Sequence, residues 1–154
     1  MSRHILYPAL FLALVLAAIV LLASPGVFAA DAPHHRLAIQ VSDNDAAKMN
    51  LALNNAVNVI KAYQARNQTA EVRIVTYGPG VTMLRSDSSP VAQRVRSFID
   101  GVPEVSFDVC DNTLAALRKT EGKDIALIDG ISHVEAGAVT LMELQEQGWS
   151  YLRP

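Results

Sequence analysis

The chain has one cysteine, Cys110, and it stands where a thiol can react. Val105, Phe107 and Val109 alternate with Ser106 and Asp108, the period of a strand. Asp111, Asn112 and Thr113 follow as candidate helix caps ahead of Leu114, Ala116 and Leu117. The sulfur thus falls at the carboxyl end of a strand and the amino end of a helix. Open α/β sheets bind ligands along that edge. A helix amino end also favours the thiolate, the reactive form of cysteine. The competing reading is a small buried hydrophobe, since free cysteine is among the most buried residues. Asp108 and Asp111 oppose ionisation, because nearby carboxylates raise a thiol pKa. Alternation sets Asp108 opposite Val109 and is expected to carry it away from the sulfur. Asp111 is expected to give its carboxylate to backbone amides.

Tyr77-Gly78-Pro79-Gly80 offers a tight turn at the same sheet edge. Tyr77 and Gly78 are candidates to line a cleft beside Cys110, with Asn112 and Thr113 adding polar contacts. The turn is no phosphate loop, for it has neither Gly-Lys-Ser/Thr nor a complete dinucleotide fingerprint. No cofactor is implied. His34 and His35 lack a matching carboxylate or cysteine cluster, so no metal site is expected and the pair reads as solvated. His133, entering a strand, reads as a packed or surface histidine rather than a general base.

The elements that must position these residues are legible in the periodicity. Leu37–Val41 reads as a first strand, and a long helix from about Ala46 to Arg66 buries Met49, Leu53, Ala56, Ile60 and Tyr63. Asn50, Asn54 and Asn58 lie four apart on another of its faces. Such poor helix formers are either solvated or engaged through their amides, and a subunit contact is one use for them. A second strand ends near Tyr77, and Val81–Leu84 suggests a short helical piece. Ser86–Pro90 is expected to cap a helix through Val91, Val95 and Phe98. After the Cys110 strand and its helix, Asp124–Leu127 suggests one helical turn. Ile131–Val134 reads as a strand, Ala138, Leu141, Met142 and Leu144-Gln145 as an amphipathic helix ending at Gly148, and the segment from Trp149 as a last short strand. This order predicts an α/β fold with a mainly parallel five-stranded sheet covered on both faces.

Composition bounds the function. Met1–His4 is a basic start, Ala9–Ala23 is unbroken apolar chain, and Ser24-Pro25-Gly26 breaks it before small residues. This is the layout of a secretory signal peptide, residues 1–29, with Val27 and Ala29 at the key positions for cleavage; the alternative is an uncleaved membrane anchor, since the run with Ile5–Pro8 included is nearly long enough to span. The expected remainder is a flexible leader, 30–36, and one domain, 37–154. No stable membrane anchor is expected after cleavage, and the location is periplasmic or secreted. Losing Arg3 moves the net charge from −2 to −3. An acidic domain argues against nucleic acid as a partner. One thiol cannot form an internal disulfide, so in an exported chain it is buried, pairs between chains or reacts.

From about Leu37 to Pro154 the chain resembles the DsrE/DsrF-like family. Leu53-Asn54-Asn55-Ala56-Val57-Asn58 is similar to its asparagine-bearing first helix, and Val75–Val81 to its glycine turn. Cys110-Asp111-Asn112-Thr113-Leu114 resembles its cysteine segment, where many relatives have glycine after the cysteine. Gly148–Pro154 resembles its aromatic ending. The resemblance implies a flavodoxin-like three-layer sandwich, assembled as a trimer or hexamer. It also implies sulfane-sulfur handling through a persulfide on Cys110, with Tyr77, Gly78, Pro79, Gly80, Asn112 and Thr113 around it. A sulfur donor or acceptor protein would be the partner. The alternative is a non-catalytic oligomeric module that binds a small ligand or a protein, its cysteine merely packed.

Overall fold

The computed structural model describes residues 34–154, so the signal-peptide expectation for residues 1–29 lies outside the described residues. The chain alternates strand and helix: β1 (His34–Val41), α1 (Ala46–Gln64), β2 (Thr69–Thr76), a 3-10 helix (Gly78–Leu84) and α2 (Ala92–Gly101). It continues as β3 (Val105–Cys110), α3 (Asp111–Glu121), β4 (Ser132–Val134), α4 (Gly137–Glu146) and β5 (Ser150–Leu152). The five strands form one sheet in the order β4-β3-β2-β1-β5, and every pairing is parallel.

Burial follows the strand period. Ile39, Val41, Val72, Ile74, Val105, Phe107 and Val109 point to one face, where they meet Met49 and Leu53 of α1, Phe98 of α2 and Leu114 of α3. Ala38 and Val75 point to the other face and pack under Leu141, Leu144 and Trp149. The handedness of parallel crossovers explains this division. The chain steps the same way from β1 to β4, which puts α1, α2 and α3 on one face. It then returns across the whole sheet to β5, which puts α4 on the other.

α1 starts where Asp45 Oδ1 accepts the amides of Ala47 and Lys48 at 2.7 and 3.2 Å. The asparagines of α1 have work within the chain: Arg94 of α2 donates to Asn50 Oδ1 and, at 2.9 Å, to Asn54 Oδ1.

Three expectations are corrected. β1 begins at His34, so His34–Arg36 belong to the sheet and not to a leader. They pair with Thr69–Glu71, and His35 stacks on Tyr63 at 3.7 Å between ring centroids. Ser86–Pro90 gives no N-terminal side-chain cap to α2, which starts at Ala92 behind Val91, while Ser89 Oγ accepts the Val91 amide at 3.2 Å. Asp124–Leu127 is not helical. Its backbone runs beside the end of the 3-10 helix, with Ser86 N–H donating to Ala126 O and Ile128 N–H to Leu84 O.

Candidate functional site

Cys110 is the last residue of β3 and the residue from which α3 springs. The connection leaving β3 enters the first helical face and the connection leaving β4 enters the second. The crevice between β3 and β4 is therefore the topological switch point of the sheet, the place where open α/β sheets hold ligands. Cys110 stands at its edge. It is 5% exposed, and its Sγ donates weakly to Glu135 O at 3.8 Å. Asn112 N–H donates to the same carbonyl at 3.1 Å.

Two helix amino ends meet at the sulfur, that of α3 and that of α4. Burial pushes the thiol pKa up. The Thr113 hydroxyl and the backbone amides of Gly137, Thr113 and Asn112 act against it, and the net result lies below the ordinary value. The neutral thiol makes no capping hydrogen bond to α3. The amides are placed to favour the ionised sulfur, and the site can thus stabilise a thiolate without a base beside it.

The glycine turn supports this arrangement unevenly. Gly78, in the left-handed region at φ +52°, donates its N–H to Thr113 Oγ1 at 3.0 Å. That contact links the turn to the hydroxyl facing the sulfur. Tyr77 packs on Gly137, where a Cβ would stand 3.0 Å from the Tyr77 Cβ. Gly80 plays a different part. A Cβ there would meet Val41 O at 2.1 Å, so this glycine lets the 3-10 helix lie against the end of β1. Pro79 is exposed at the start of the 3-10 helix.

The two aspartates behave differently from expectation. Asp108 shares the face of Cys110, because residues two apart on a strand point the same way. Its side chain is 1% exposed, and Arg73 holds it through Nε at 2.9 Å and Nη2 at 2.7 Å. Burial raises the Asp108 pKa against the pull of Arg73. Its charge is nonetheless matched by a guanidinium. Asp111 does not cap α3. Its Oδ1 lies 2.6 Å from Nδ1 of His133, both side chains being about half exposed. His133 pairs with Val109 across the β3–β4 ladder, so it sits on the face opposite the sulfur.

The amide of Gly137 and the carbonyl of Glu135 were not singled out in the sequence. Both come from the β4–α4 connection, which only the crossover brings to Cys110. A groove of about 350 Å³ adjoins them, lined by Val134, Glu135, Ala136, Val139, Thr140 and Glu143. Among the described residues no three His, Cys, Asp or Glu side chains group as metal ligands, and no helix is long and apolar enough to cross a membrane.

The model of the DsrE/DsrF-like family matches residues 35–154. No curated protein matches the chain. Among solved structures the chain is similar to MTH1491 from Methanobacterium thermoautotrophicum, described as a protein of unknown function. The two are 28% identical with a TM-score of 0.65, over 78% of this chain and 99% of that one. The fold is α/β and consistent with the flavodoxin-like arrangement.

Proposed function

We propose that this chain, which belongs to the DsrE/DsrF-like family, carries sulfane sulfur as a persulfide on Cys110. The observation that carries the reading is the meeting of two helix amino ends on one sulfur, whose pKa is lowered by Thr113 and the amides of Gly137, Thr113 and Asn112 against the effect of burial. The transfer is an exchange. The Cys110 thiolate attacks the outer sulfur of a donor persulfide. The S–S bond of the donor breaks, the donor leaves as a thiolate, and Cys110 becomes Cys–S–SH with the proton on the outer sulfur. Delivery to an acceptor thiolate runs the same step backwards, so no outside oxidant or reductant is needed. The chain would then be a sulfurtransferase-like carrier between a donor and an acceptor protein.

The proposal places this chemistry in the periplasm or outside the cell, on the layout of residues 1–29. It also has the domain working as a homo-oligomer. One experiment reads both loading and processing: intact-mass spectrometry of protein recovered from the envelope fraction, before and after polysulfide. Expected are cleavage after Ala29 and a gain of one or more sulfur masses that dithiothreitol removes and Cys110→Ser lacks. An intact Met1 on a membrane-bound product would overturn cleavage, and absence of added sulfur would overturn the carrier.

A second reading draws on the 5% exposure of Cys110. A packed thiol in an oligomeric binding module would look the same at rest. It predicts a sulfur that no small reagent reaches until the protein unfolds.

A further inference from the structure

We propose that His133 is a positioning residue for Cys110: it holds the Asp111 carboxylate to itself and so leaves the first amides of α3 to the sulfur. The inference deepens the carrier reading and rests on it for its purpose, although its test does not. Asp111 occupies the first turn of α3, where a carboxylate is drawn to the helix amides. A carboxylate is a strong competitor for those donors. Yet Asp111 makes its short contact with Nδ1 of His133, 2.6 Å away. The amide of Thr113 is left to the sulfur, and that of Asn112 acts on the sulfur while also donating to Glu135 O at 3.1 Å.

Register makes the pairing possible. Val109 faces His133 and Cys110 faces Val134 in the β3–β4 ladder, so the histidine stands one step before the thiol on the neighbouring strand. It approaches from the face opposite the sulfur. It therefore draws Asp111 away from the thiol side. His133 touches neither the sulfur nor the groove, and acts only through Asp111.

The other charged groups around the junction stay constant between variants. Asp108 on β3 is held by Arg73 of β2. Tyr77, at the end of β2, packs on Gly137 of α4. Glu135 and Glu143 line the groove between β4 and α4.

The test is a pH titration of thiolate absorbance in the far ultraviolet, on the folded chain with residues 34–154 intact. The single cysteine makes the signal unambiguous, and the absorbance does not depend on reagent access. Removing the histidine with His133→Ala should raise the Cys110 pKa and cut the thiolate fraction at neutral pH by about threefold to tenfold. Asp111→Asn should do the reverse. The double variant should match Asp111→Asn, because without the carboxylate the histidine has nothing to hold. A merely structural clasp predicts shifts of the same sign in both single variants, and that result would overturn the proposal, as would unchanged titrations. Circular dichroism confirms that each variant folds, and both side chains are half exposed, which favours this. Failure to load sulfur, with the titration pattern as expected, would remove the carrier reading alone.

Discussion

At the scale of single residues, the thiol is served by a relay of contacts that begins outside its own strand. Gly78 N–H donates to Thr113 Oγ1, and that hydroxyl faces Cys110. Thr113→Val keeps the shape and removes the oxygen. The Gly78 amide, partly buried, then loses its acceptor, which costs about 1 kcal/mol of stability. The thiolate loses its hydroxyl donor at the same time, so the Cys110 pKa should rise. Urea denaturation and the thiolate titration read the two effects separately, and an unchanged thiol pKa would show that the hydroxyl serves the turn alone. The position of Cys110 at a strand end and helix start was legible in the sequence, because both signals are local. The direction of Asp108 followed from the same alternation, counted to Cys110 instead of Val109: the two residues share a face, and Arg73 explains why that is tolerated. The His133–Asp111 pair and the Gly137 amide were not legible. Each depends on which strand lies beside β3 and on the face to which the next helix crosses, and no local pattern carries that.

At the scale of elements, periodicity located the strands and long helices, and it failed where backbone pairs with a distant segment. Asp124–Leu127 suggested a helical turn, but Ala126 O accepts from Ser86 N–H and the following Ile128 N–H goes to Leu84 O. Arg85 fixes this region. Its guanidinium, 9% exposed as a residue, meets both oxygens of Asp87 at 2.9 Å and both of Glu121 at 2.5 and 3.0 Å. The hydrogen bonds from Arg85 hold both carboxyls below their ordinary values of 3.8 and 4.5. A lowered carboxyl pKa contributes stability that is present above the unfolded value and is lost as pH falls through the folded one. The urea midpoint should therefore drop between about pH 5 and pH 3, and the drop should be shallower in Arg85→Gln. Asp108, raised by burial, works in the opposite sense and is common to both proteins. Equal slopes in the two proteins would show that the clamp does not contribute.

At the scale of the whole molecule, the two faces of the sheet are unequally covered. Parallel sheets ordinarily bury both faces. Here three helices and the 3-10 helix cover one face, whereas α4 alone packs on the other, over Ala38 and Val75. Beyond α4 lies the groove beside β4, and the outer side of the same helix carries Val139 and Met142, 50% and 61% exposed. The asparagine helix, a candidate subunit contact by sequence, is engaged within the chain at Asn50 and Asn54, which Arg94 holds, and Arg36 lies over the Trp149 ring. Tyr151 remains 43% exposed. The incomplete second face is thus the better place for a second copy, and an interface there would border the Glu135–Gly137 connection that supplies an amide to Cys110. Assembly would then bear on access to the thiol as well as on stability. The prediction is that light scattering at micromolar concentration finds an oligomer, that Val139→Asp with Met142→Asp yields a folded monomer, and that the urea midpoint of this monomer no longer varies with protein concentration. A monomeric parent protein would remove the idea. An oligomer indifferent to both substitutions would move the interface off α4 and leave the β4–α4 groove free for the donor or acceptor.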